Sequence, residues 1–193
     1  MVSDRCAVFL DGGYLDKILL DLGKMKIDYS KMVVDLHRDL PLLRAYYYNC
    51  LPYQSPTPTP DEQQRVSEKQ KFFTSLNRLA NFTVREGKLA KRGTDSDGKP
   101  IFEQKRIDVH LATDLVMHST KRLITHALLF AGDSDFIPAI EIAESEGVNV
   151  RLFSVESTAS RRVGARPHDE LVNAVDEHIQ LKQTQLDGWV RKM

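Results

Sequence analysis

The chain has 193 residues, and its 27 basic and 27 acidic side chains give a formal net charge of zero. Hydrophobic residues make up 41% of the sequence and charged residues 28%, a composition that supports a buried core and excludes disordered, coiled-coil and disulfide-rich classes. The apolar runs are far shorter than the ~20 residues that a membrane-spanning helix needs, and the amino terminus lacks the pattern of a secretory signal. We therefore expect a globular cytoplasmic protein that does not enter a membrane.

The cysteines and histidines argue against a zinc site. Cys6 and Cys50 lie in separate apolar segments without CxxC spacing, so we expect buried, reduced thiols that form no disulfide. The histidines likewise show no His/Cys ligand spacing.

Charge is unevenly distributed along the chain. Basic residues outnumber acidic ones over residues 82–107 and 151–168, whereas acidic residues dominate residues 108–146. An acidic block between basic blocks is typical of a cation site beside a track for a polyanion. Ordinary solvent-exposed charged faces would produce the same pattern, so this alternative stays open.

Apolar residues alternate between the patterns of buried strands and amphipathic helices. Strands are predicted over residues 6–10, 42–51, 82–92, 101–105, 126–132 and 148–154, with a hairpin bend at Gly98. Helices are predicted over residues 12–22, 61–81 with Asp61 as cap, from 108, over 136–147 and from 169. This order predicts an α/β domain over residues 1–181, with a mostly parallel sheet between helices. Residues 182–193 are expected to form a C-terminal tail, a loosely attached helix containing Trp189.

Four aspartates follow predicted strands or begin a helix. Asp11 closes the first strand, Asp133 and Asp135 follow the strand over residues 126–132, and Asp108 lies in the first turn of a helix. Because ligands gather at the carboxyl ends of parallel strands, we expect these acids to converge. Carboxylate oxygens suit Mg²⁺ or Mn²⁺, although Asp11, Asp108 and Asp135 are also candidate helix caps. Asp114 does not share a helix face with Asp108, so it is at most an indirect support for a metal.

Several segments together resemble a known family. They are VFLDGGYL at residues 8–15, KRIDVHLATDL at 105–115, LLFAGDSDFIP at 128–138, GVNVRLF at 147–153 and residues 171–181. The sequence resembles NYN domains of the PIN-like nuclease superfamily, in particular the LabA-like (DUF88) group. The resemblance implies a PIN-like three-layer α/β/α sandwich with a central mostly parallel sheet, and metal-dependent nuclease activity on RNA. Asp11, Asp108, Asp133, Asp135 and the further position Asp114 match acidic positions of the family. Many members carry Asn where this chain has Tyr14.

We therefore predict a ribonuclease that hydrolyses RNA phosphodiester bonds with Mg²⁺ or Mn²⁺ held by aspartates. Lys105 is a candidate to contact the scissile phosphate, with a solvated lysine as the alternative. Ser134 is a candidate to bind phosphate or a metal-bound water, with a turn hydroxyl as the alternative. Basic side chains are predicted to follow the RNA backbone: Lys88, Lys91, Arg92, Arg161, Arg162 and Arg166. Tyr46, Tyr47 and Tyr48 favour core packing over base stacking.

Two alternative functions remain open. A phosphatase of the haloacid dehalogenase type also uses an aspartate after a strand, but Gly13 occupies the place of its second acid. A non-catalytic RNA-binding or protein-interaction module would keep the fold, with Tyr14 marking loss of the metal site. The expected partner is RNA, either single-stranded or structured. Whether the chain forms a homodimer stays open at this point.

Overall fold

The secondary structure alternates between strands and helices along most of the chain. The computed structural model describes residues 3–23, 26–38, 40–94, 97, 100–156 and 166–191. The strands are β1 (Cys6–Asp11), β2 (Leu42–Cys50), β3 (Phe82–Thr94), β4 (Pro100–Lys105), β5 (His126–Phe130), β6 (Asn149–Val155) and β7 (Glu177–Leu181). The helices are α1 (Gly12–Asp21), α2 (Tyr29–His37), α3 (Pro60–Asn77), α4 (Ile107–Thr120), α5 (Ile137–Ser145), α6 (Asp169–Asn173) and α7 (Gln183–Trp189). A 3₁₀ turn over Ser134–Phe136 precedes α5.

These strands form one sheet in the order β4-β3-β2-β1-β5-β6-β7. Every neighbouring pair is parallel except β3 and β4, which form an antiparallel hairpin at one edge. The helices cover both faces of this sheet, so the predicted three-layer α/β/α sandwich with a mostly parallel sheet is confirmed.

Side chains of the central strand alternate between two cores. Val8 and Leu10 pack with α1, α2, α3 and α7, whereas Ala7 and Phe9 pack with α4, α5 and α6. All four side chains are fully buried. A strand covered on both faces needs apolar residues at every position, which explains the continuous apolar run from which it was predicted.

Several element boundaries differ from those predicted. Helix α3 begins at Pro60 and is capped by Thr59, whose side chain accepts a hydrogen bond from the Glu62 amide while the Glu62 carboxylate accepts one from the Thr59 amide. Asp61 therefore lies in the first turn and is not the cap. Helix α2 and strand β7 were not predicted. The α2 pattern of Tyr29, Met32, Val33 and Leu36 does follow the helical period, whereas β7 is a short edge strand of mixed polarity.

The carboxyl-terminal segment packs firmly against the domain. The Trp189 side chain is 2% exposed, and its indole N–H donates to Oδ2 of Asp35 at 2.6 Å. The Asp28 amide donates to the Trp189 carbonyl at 2.7 Å, and Ile27 forms a β-bridge with Val190. The expectation of a loosely attached helix is wrong, because burial of the large indole joins α7 to α2.

The thiols are placed as the sequence predicts. Cys6 and Cys50 are buried and unpaired, and burial raises the pKa of Cys6 to about 11. Among the described residues, no helix has the length and apolar character that crossing a membrane requires.

Candidate active site

The sheet has a switch point between β1 and β5. From β1 the chain adds β2 and β3 on one side, and it later adds β5, β6 and β7 on the other. Open α/β sheets bind ligands in the crevice beyond such a point, at the carboxyl ends of the strands. A pocket of about 90 Å³ lies there, lined by Asp11, Tyr14, Lys17, Gly132, Asp133, Arg166 and His168.

Asp11 ends β1 and caps α1. Its Oδ1 accepts hydrogen bonds from the amides of Gly13 at 2.9 Å and Tyr14 at 3.2 Å. The pKa of Asp11 is raised to about 6, chiefly by burial and to a smaller extent by the Asp108 charge, while the Tyr14 and Gly13 amides and Lys17 oppose the rise. Asp11 is thus both a helix cap and a wall of the pocket, so the two roles weighed for it are compatible.

The turn between strand and helix is tight at Gly12. A Cβ atom there would lie 2.6 Å from the Asn49 side-chain nitrogen and 2.6 Å from the Tyr47 ring. Real Cβ atoms do not approach other heavy atoms this closely, so the chain can enter α1 at this point only with glycine. Gly12 therefore contributes to the position of Asp11 through close packing.

Asp133 and Asp135 belong to the loop that follows β5. Asp133 caps the 3₁₀ turn, and its Oδ1 accepts a hydrogen bond from the Asp135 amide at 3.1 Å. Both aspartates are exposed, Ser134 between them is half-buried, and Phe136 is fully buried and anchors the turn. The structure thus brings Asp133 into the pocket with Asp11 and leaves Asp135 at the surface beside it.

Asp108 joins this neighbourhood from α4. It lies in the first turn of the helix, after Arg106 in the left-handed conformation at φ 77°. Burial raises the pKa of Asp108, and the charges of Asp133 and Asp135 raise it further. We call Asp11, Asp108, Asp133 and Asp135 together the acid edge. Within the described ranges, no three Asp, Glu, His or Cys side chains are arranged to hold a metal ion, so metal binding by the acid edge stays a prediction.

Asp114 lies away from the pocket, on the side of α4 that faces β2 and β3. Its carboxylate receives a bidentate pair of hydrogen bonds from Arg85, at 2.9 and 3.0 Å, and another from the Tyr48 hydroxyl at 3.0 Å. The side chain is 6% exposed. Through these partners Asp114 links α4 to β2 and β3. Among the described residues, none of these hydrogen bonds connects Asp114 to the other predicted metal ligands, so its indirect support of a metal stays a prediction.

Comparison with known proteins identifies the family. The family model described as the NYN domain matches residues 5–182. The chain belongs to the NYN domain family. It is 27% identical over 143 residues to the low amplitude and bright protein LabA of Synechococcus elongatus, a match that covers 74% of this chain. The match spans 64% of the length of LabA.

A solved structure shares the fold of this NYN domain. The crystal structure of VPA0982, a protein of unknown function from Vibrio parahaemolyticus, superposes with a TM-score of 0.62 and covers 94% of each chain. The two sequences are 13% identical, so the likeness concerns the fold alone.

The basic residues of the NYN domain fall in two places. Lys88 and Lys105 are cross-strand partners at the base of the β3–β4 hairpin, and both are exposed. Further along the hairpin, Lys91 follows in β3 and Arg92 forms an exposed ion pair with Glu103. Arg166 lines the pocket at the switch point. Arg161, Arg162 and the expected bend at Gly98 lie outside the described residues.

The tyrosine run of β2 belongs to the core. Tyr46, Tyr47 and Tyr48 are all buried, with Tyr47 on one face of the sheet and its two neighbours on the other. The Tyr46 hydroxyl lies 2.8 Å from Nε2 of His118. Core packing was the favoured interpretation and is what the structure shows.

Sequence reasoning missed Lys17 and His168 as pocket-lining residues, and it placed Tyr14 at the metal site only as a departure from the family. Tyr14 and Lys17 follow Asp11 at intervals of three, which places them near one face of α1, and this spacing was a usable signal. The Tyr14 ring also covers Gly132, since a Cβ atom there would lie 2.5 Å from Cδ2 of the ring. His168 arrives from a distant segment and its amide donates to the Gly132 carbonyl at 3.0 Å, a contact that no local pattern announces.

Proposed function

We propose that this NYN domain is a ribonuclease that hydrolyses RNA phosphodiester bonds with the help of Mg²⁺ or Mn²⁺ at the acid edge. The observation that supports the proposal is that Asp11 and Asp133 line a single pocket at the switch point. Asp108 lies close enough to Asp133 and Asp135 for their charges, together with burial, to raise its pKa. Like charges gathered in this way favour a cation between them.

The donor chemistry of the acid edge fits these ions. Mg²⁺ takes oxygen ligands, keeps several waters, and is usually held by one or two carboxylates together with substrate phosphates. Asp11 and Asp133 are such a pair. A closed set of three protein ligands is therefore not needed, and its absence among the described residues agrees with an ion that binds together with RNA.

Each aspartate of the pocket is held in place by backbone amides. Asp11 is fixed by Gly13 and Tyr14, and Asp133 by Asp135. A divalent ion bound there supplies Lewis-acid activation of water and stabilises the charge that develops on the phosphate. The carboxylates hold their positions before substrate arrives, which limits the reorganisation that catalysis requires.

Cationic side chains around the acid edge provide contacts for phosphate. Lys17 and Arg166 line the pocket itself, and Lys105 lies three residues before Asp108. In the proposal these three bind the reacting phosphate, with Ser134 as a hydroxyl donor beside them. The basic residues of the hairpin and of residues 157–166 bind the RNA backbone, which adds affinity without sequence preference.

The direct test replaces Asp133 by Asn. We expect Asp133→Asn to lower the rate of Mn²⁺-dependent cleavage of a labelled RNA by at least about a hundredfold, because loss of a ligand costs more than loss of its supporting partner. The matched control is Glu146→Gln, an exposed carboxylate on the turn after α5, at the opposite edge of the sheet. Cleavage by Glu146→Gln should equal that of the unmodified chain.

The proposal fails if Asp133→Asn and the unmodified chain cleave equally, since cleavage would then come from another site or a contaminant. It also fails if products form at the same rate with EDTA in place of Mn²⁺. Thermal unfolding of both variants shows that a loss of cleavage is not a loss of fold, because Asn caps a helical turn as well as Asp does.

A second candidate function rests on Tyr14. Its buried ring occupies the space over Gly132 and forms part of the pocket wall beside Asp11. This favours a non-catalytic RNA-binding or protein-interaction module as the alternative. Such a module would bind RNA equally in EDTA and in Mn²⁺ and would give no products in either, an outcome that the same assays report.

A further inference from the structure

A second groove opens beside the hairpin, away from the pocket at the switch point. It has a volume of about 590 Å³ and is lined by the segment after β2, the beginning of α3 and both strands of the hairpin. The residues that matter here are Tyr53, Phe102, Leu89, Arg65 and Glu62. None of them was among the sites predicted from the sequence.

The groove exists because the hairpin extends past the parallel sheet. The last residue of β2, Cys50, pairs with Gly87, so the rest of β3 continues beyond its parallel neighbour and pairs only with β4. Cross-strand partners point to the same face of an antiparallel pair, and alternate residues share a face. Leu89 and Phe102 consequently both face the groove, which both of them line.

Two aromatic rings meet at this surface. The ring centroids of Tyr53 and Phe102 are 4.9 Å apart, with the planes tilted by 39°. Phe102 is 41% exposed and Tyr53 is half-buried. Water therefore reaches a large part of an aromatic surface that Tyr53 already supports from one side.

We propose that Tyr53 and Phe102 form a platform on which unpaired bases of single-stranded RNA stack. Aromatic rings flanked by cations are the surface chemistry that single-stranded nucleic acids use, because every base offers a π-face and every linkage a negative charge. Arg65 lines the groove beside the two rings. Lys88 and Lys105 are cross-strand partners on the other face of the hairpin, so Arg65 is the cation that the groove itself offers. The inference rests on the proposed function, since it names the substrate class as RNA with unpaired bases.

One acidic residue also lines the groove. The Glu62 carboxylate accepts hydrogen bonds from the Ser55 hydroxyl at 2.7 Å and from the Thr59 amide at 3.0 Å. It is thus engaged in capping α3, and these bonds lower its pKa. Its role in the groove is explained by the helix start, so it does not require a cationic ligand.

The platform is continuous with the acid edge. Strand β4 carries Phe102 and ends at Lys105, three residues before Asp108. The Lys105 backbone forms a hydrogen bond with the Cys50 thiol, and the charge of Asp108 is near enough to contribute to the raised pKa of that thiol. A single strand therefore joins the platform to the start of the helix that carries Asp108, although the Lys105 side chain points to the face of the hairpin opposite Phe102.

The test measures binding of the full chain to a short labelled single-stranded oligouridine by fluorescence anisotropy, in EDTA so that no cleavage interferes. Phe102→Leu keeps an apolar side chain but removes the π-face, and we expect its Kd to rise about five- to hundredfold. Phe102→Trp keeps an aromatic face, so its Kd should equal that of the unmodified chain or be lower. Duplex RNA of the same length should respond little to either change, because its bases are already stacked.

Ile101→Ala is the matched control. Ile101 is 47% exposed on the same strand, and its side chain points to the opposite face, so its truncation should leave the Kd unchanged. Thermal unfolding of Phe102→Leu should match that of the unmodified chain. If Phe102→Leu binds as the unmodified chain does, or if Phe102→Trp fails to restore binding, the aromatic pair only holds the hairpin and the inference is overturned.

The outcome separates this inference from the proposed function. Aromatic-dependent binding without Asp133-dependent cleavage would leave the platform standing and remove the nuclease. Cleavage that depends on Asp133, together with binding that is unchanged by Phe102→Leu, would support the nuclease and reject the platform. If the oligouridine does not bind, or binds no better than the duplex, the platform is rejected whichever way cleavage turns out.

Discussion

Helix α4 carries two aspartates in opposite electrostatic surroundings. Asp114 is 6% exposed, and its carboxylate is matched by Arg85 and by the Tyr48 hydroxyl. Asp108, in the first turn of the same helix, is exposed and faces the charges of Asp133 and Asp135. The first carboxylate has its cation within the chain and serves the fold. The second lies near the like charges of two other carboxylates, a situation that favours binding of a cation from outside.

We call Asp114, Arg85, Tyr48 and His118 the paired site. Its members come from β2, β3 and α4, so it fastens the helix that carries Asp108 to the sheet. The His118 Nδ1 lies 2.6 Å from the Asp114 carbonyl and its Nε2 lies 2.8 Å from the Tyr46 hydroxyl. A carbonyl only accepts, so Nδ1 carries the proton and Nε2 accepts from tyrosine. Among the described residues, the Asp114 carboxylate thus has a cation and a hydroxyl as partners, whereas the acid edge gathers carboxylates whose charges raise one another's pKa.

The largest expected effect comes from breaking the paired site. Arg85→Leu leaves Asp114 buried without a cation, and we expect the free energy of unfolding to fall by about 2–3 kcal/mol. This lies below the about 3–5 kcal/mol typical of breaking a fully buried pair, because the Arg85 side chain is 38% exposed and solvent screens its charge. Urea denaturation measures the change.

Arg92→Leu is the control for this prediction. Arg92 and Glu103 also form an ion pair, but their side chains are 60% and 38% exposed, and solvent screens such surface pairs so that they contribute little to stability. Equal losses in Arg85→Leu and Arg92→Leu would contradict the distinction between a paired site that holds the fold and an ordinary surface pair.

The next effect concerns the wall of the acid edge. Gly132→Ala would push a Cβ atom to 2.5 Å from the Tyr14 ring, and we expect a destabilisation of about 2 kcal/mol from overpacking. Combining it with Tyr14→Asn should recover part of this loss, because the double variant no longer has the clash. Thermal unfolding of the four chains gives the coupling energy.

Gly188→Ala serves as the comparison, since a Cβ atom there meets nothing within 4 Å. It lies in α7, where alanine is favoured over glycine, so its stability should stay level or rise. Independent, additive effects of Gly132→Ala and Tyr14→Asn would show that the ring does not press on the strand end.

The paired site should also respond to acid. Burial lowers the pKa of His118 from its ordinary value of 6.5, so the folded chain keeps it neutral while the unfolded chain protonates it. The unfolded state therefore binds more protons below about pH 6.5, and the fold loses up to about 1.4 kcal/mol for each pH unit below that value, until the pH reaches the folded-state pKa.

His118→Asn removes this titration and keeps an amide that can donate to a carbonyl. Urea denaturation at pH 7.5 and pH 5.5 should show a drop in stability that is smaller in His118→Asn than in the unmodified chain. Other groups titrate alike in both chains, so the difference reports His118. Equal drops would mean that His118 takes up its second proton equally well in the folded and unfolded chains, which would contradict a pKa lowered by burial.

The smallest expected effect is a gain in stability at the acid edge. Asp133→Asn removes one of the charges that raise the pKa of Asp108 and keeps a good capping residue, so unfolding should cost about 0.5 kcal/mol more at low salt. Added Mn²⁺ should raise the Tm of the unmodified chain and act less on the variant. A clear loss of stability in Asp133→Asn would assign this aspartate to the fold.

Much of the fold followed from local patterns. The apolar run at residues 6–10 and the spacing of Leu15, Ile18 and Leu19 predicted β1 and α1, because burial on both faces of a strand and on one face of a helix leaves a periodic trace. The predicted cap Asp61 was displaced by Thr59, since the capping box depends on a reciprocal bond with Glu62. The tail was misjudged because the partner of Trp189, Asp35, is remote in sequence.

The acid edge was partly within reach of the sequence. Asp11 and Asp133 follow strands that become neighbours in a parallel sheet, and the rule on carboxyl ends places them together. Their binding of a metal ion remains a prediction. The contributions of Lys17 and His168 to the pocket were not anticipated, and for His168 no local signal exists because its contact with Gly132 joins distant segments.

By itself the sequence determined the alternation of strands and helices, the layered architecture and the set of acids at strand ends, because these depend on periodicity and on the order of elements. Only the tertiary structure decided that Asp114 meets Arg85, that Trp189 packs onto the domain through Asp35, and that Phe102 stays exposed beside Tyr53. The physical reason is that charge pairing and burial depend on distances in space, and residues far apart along the chain reach those distances only when the sheet is assembled.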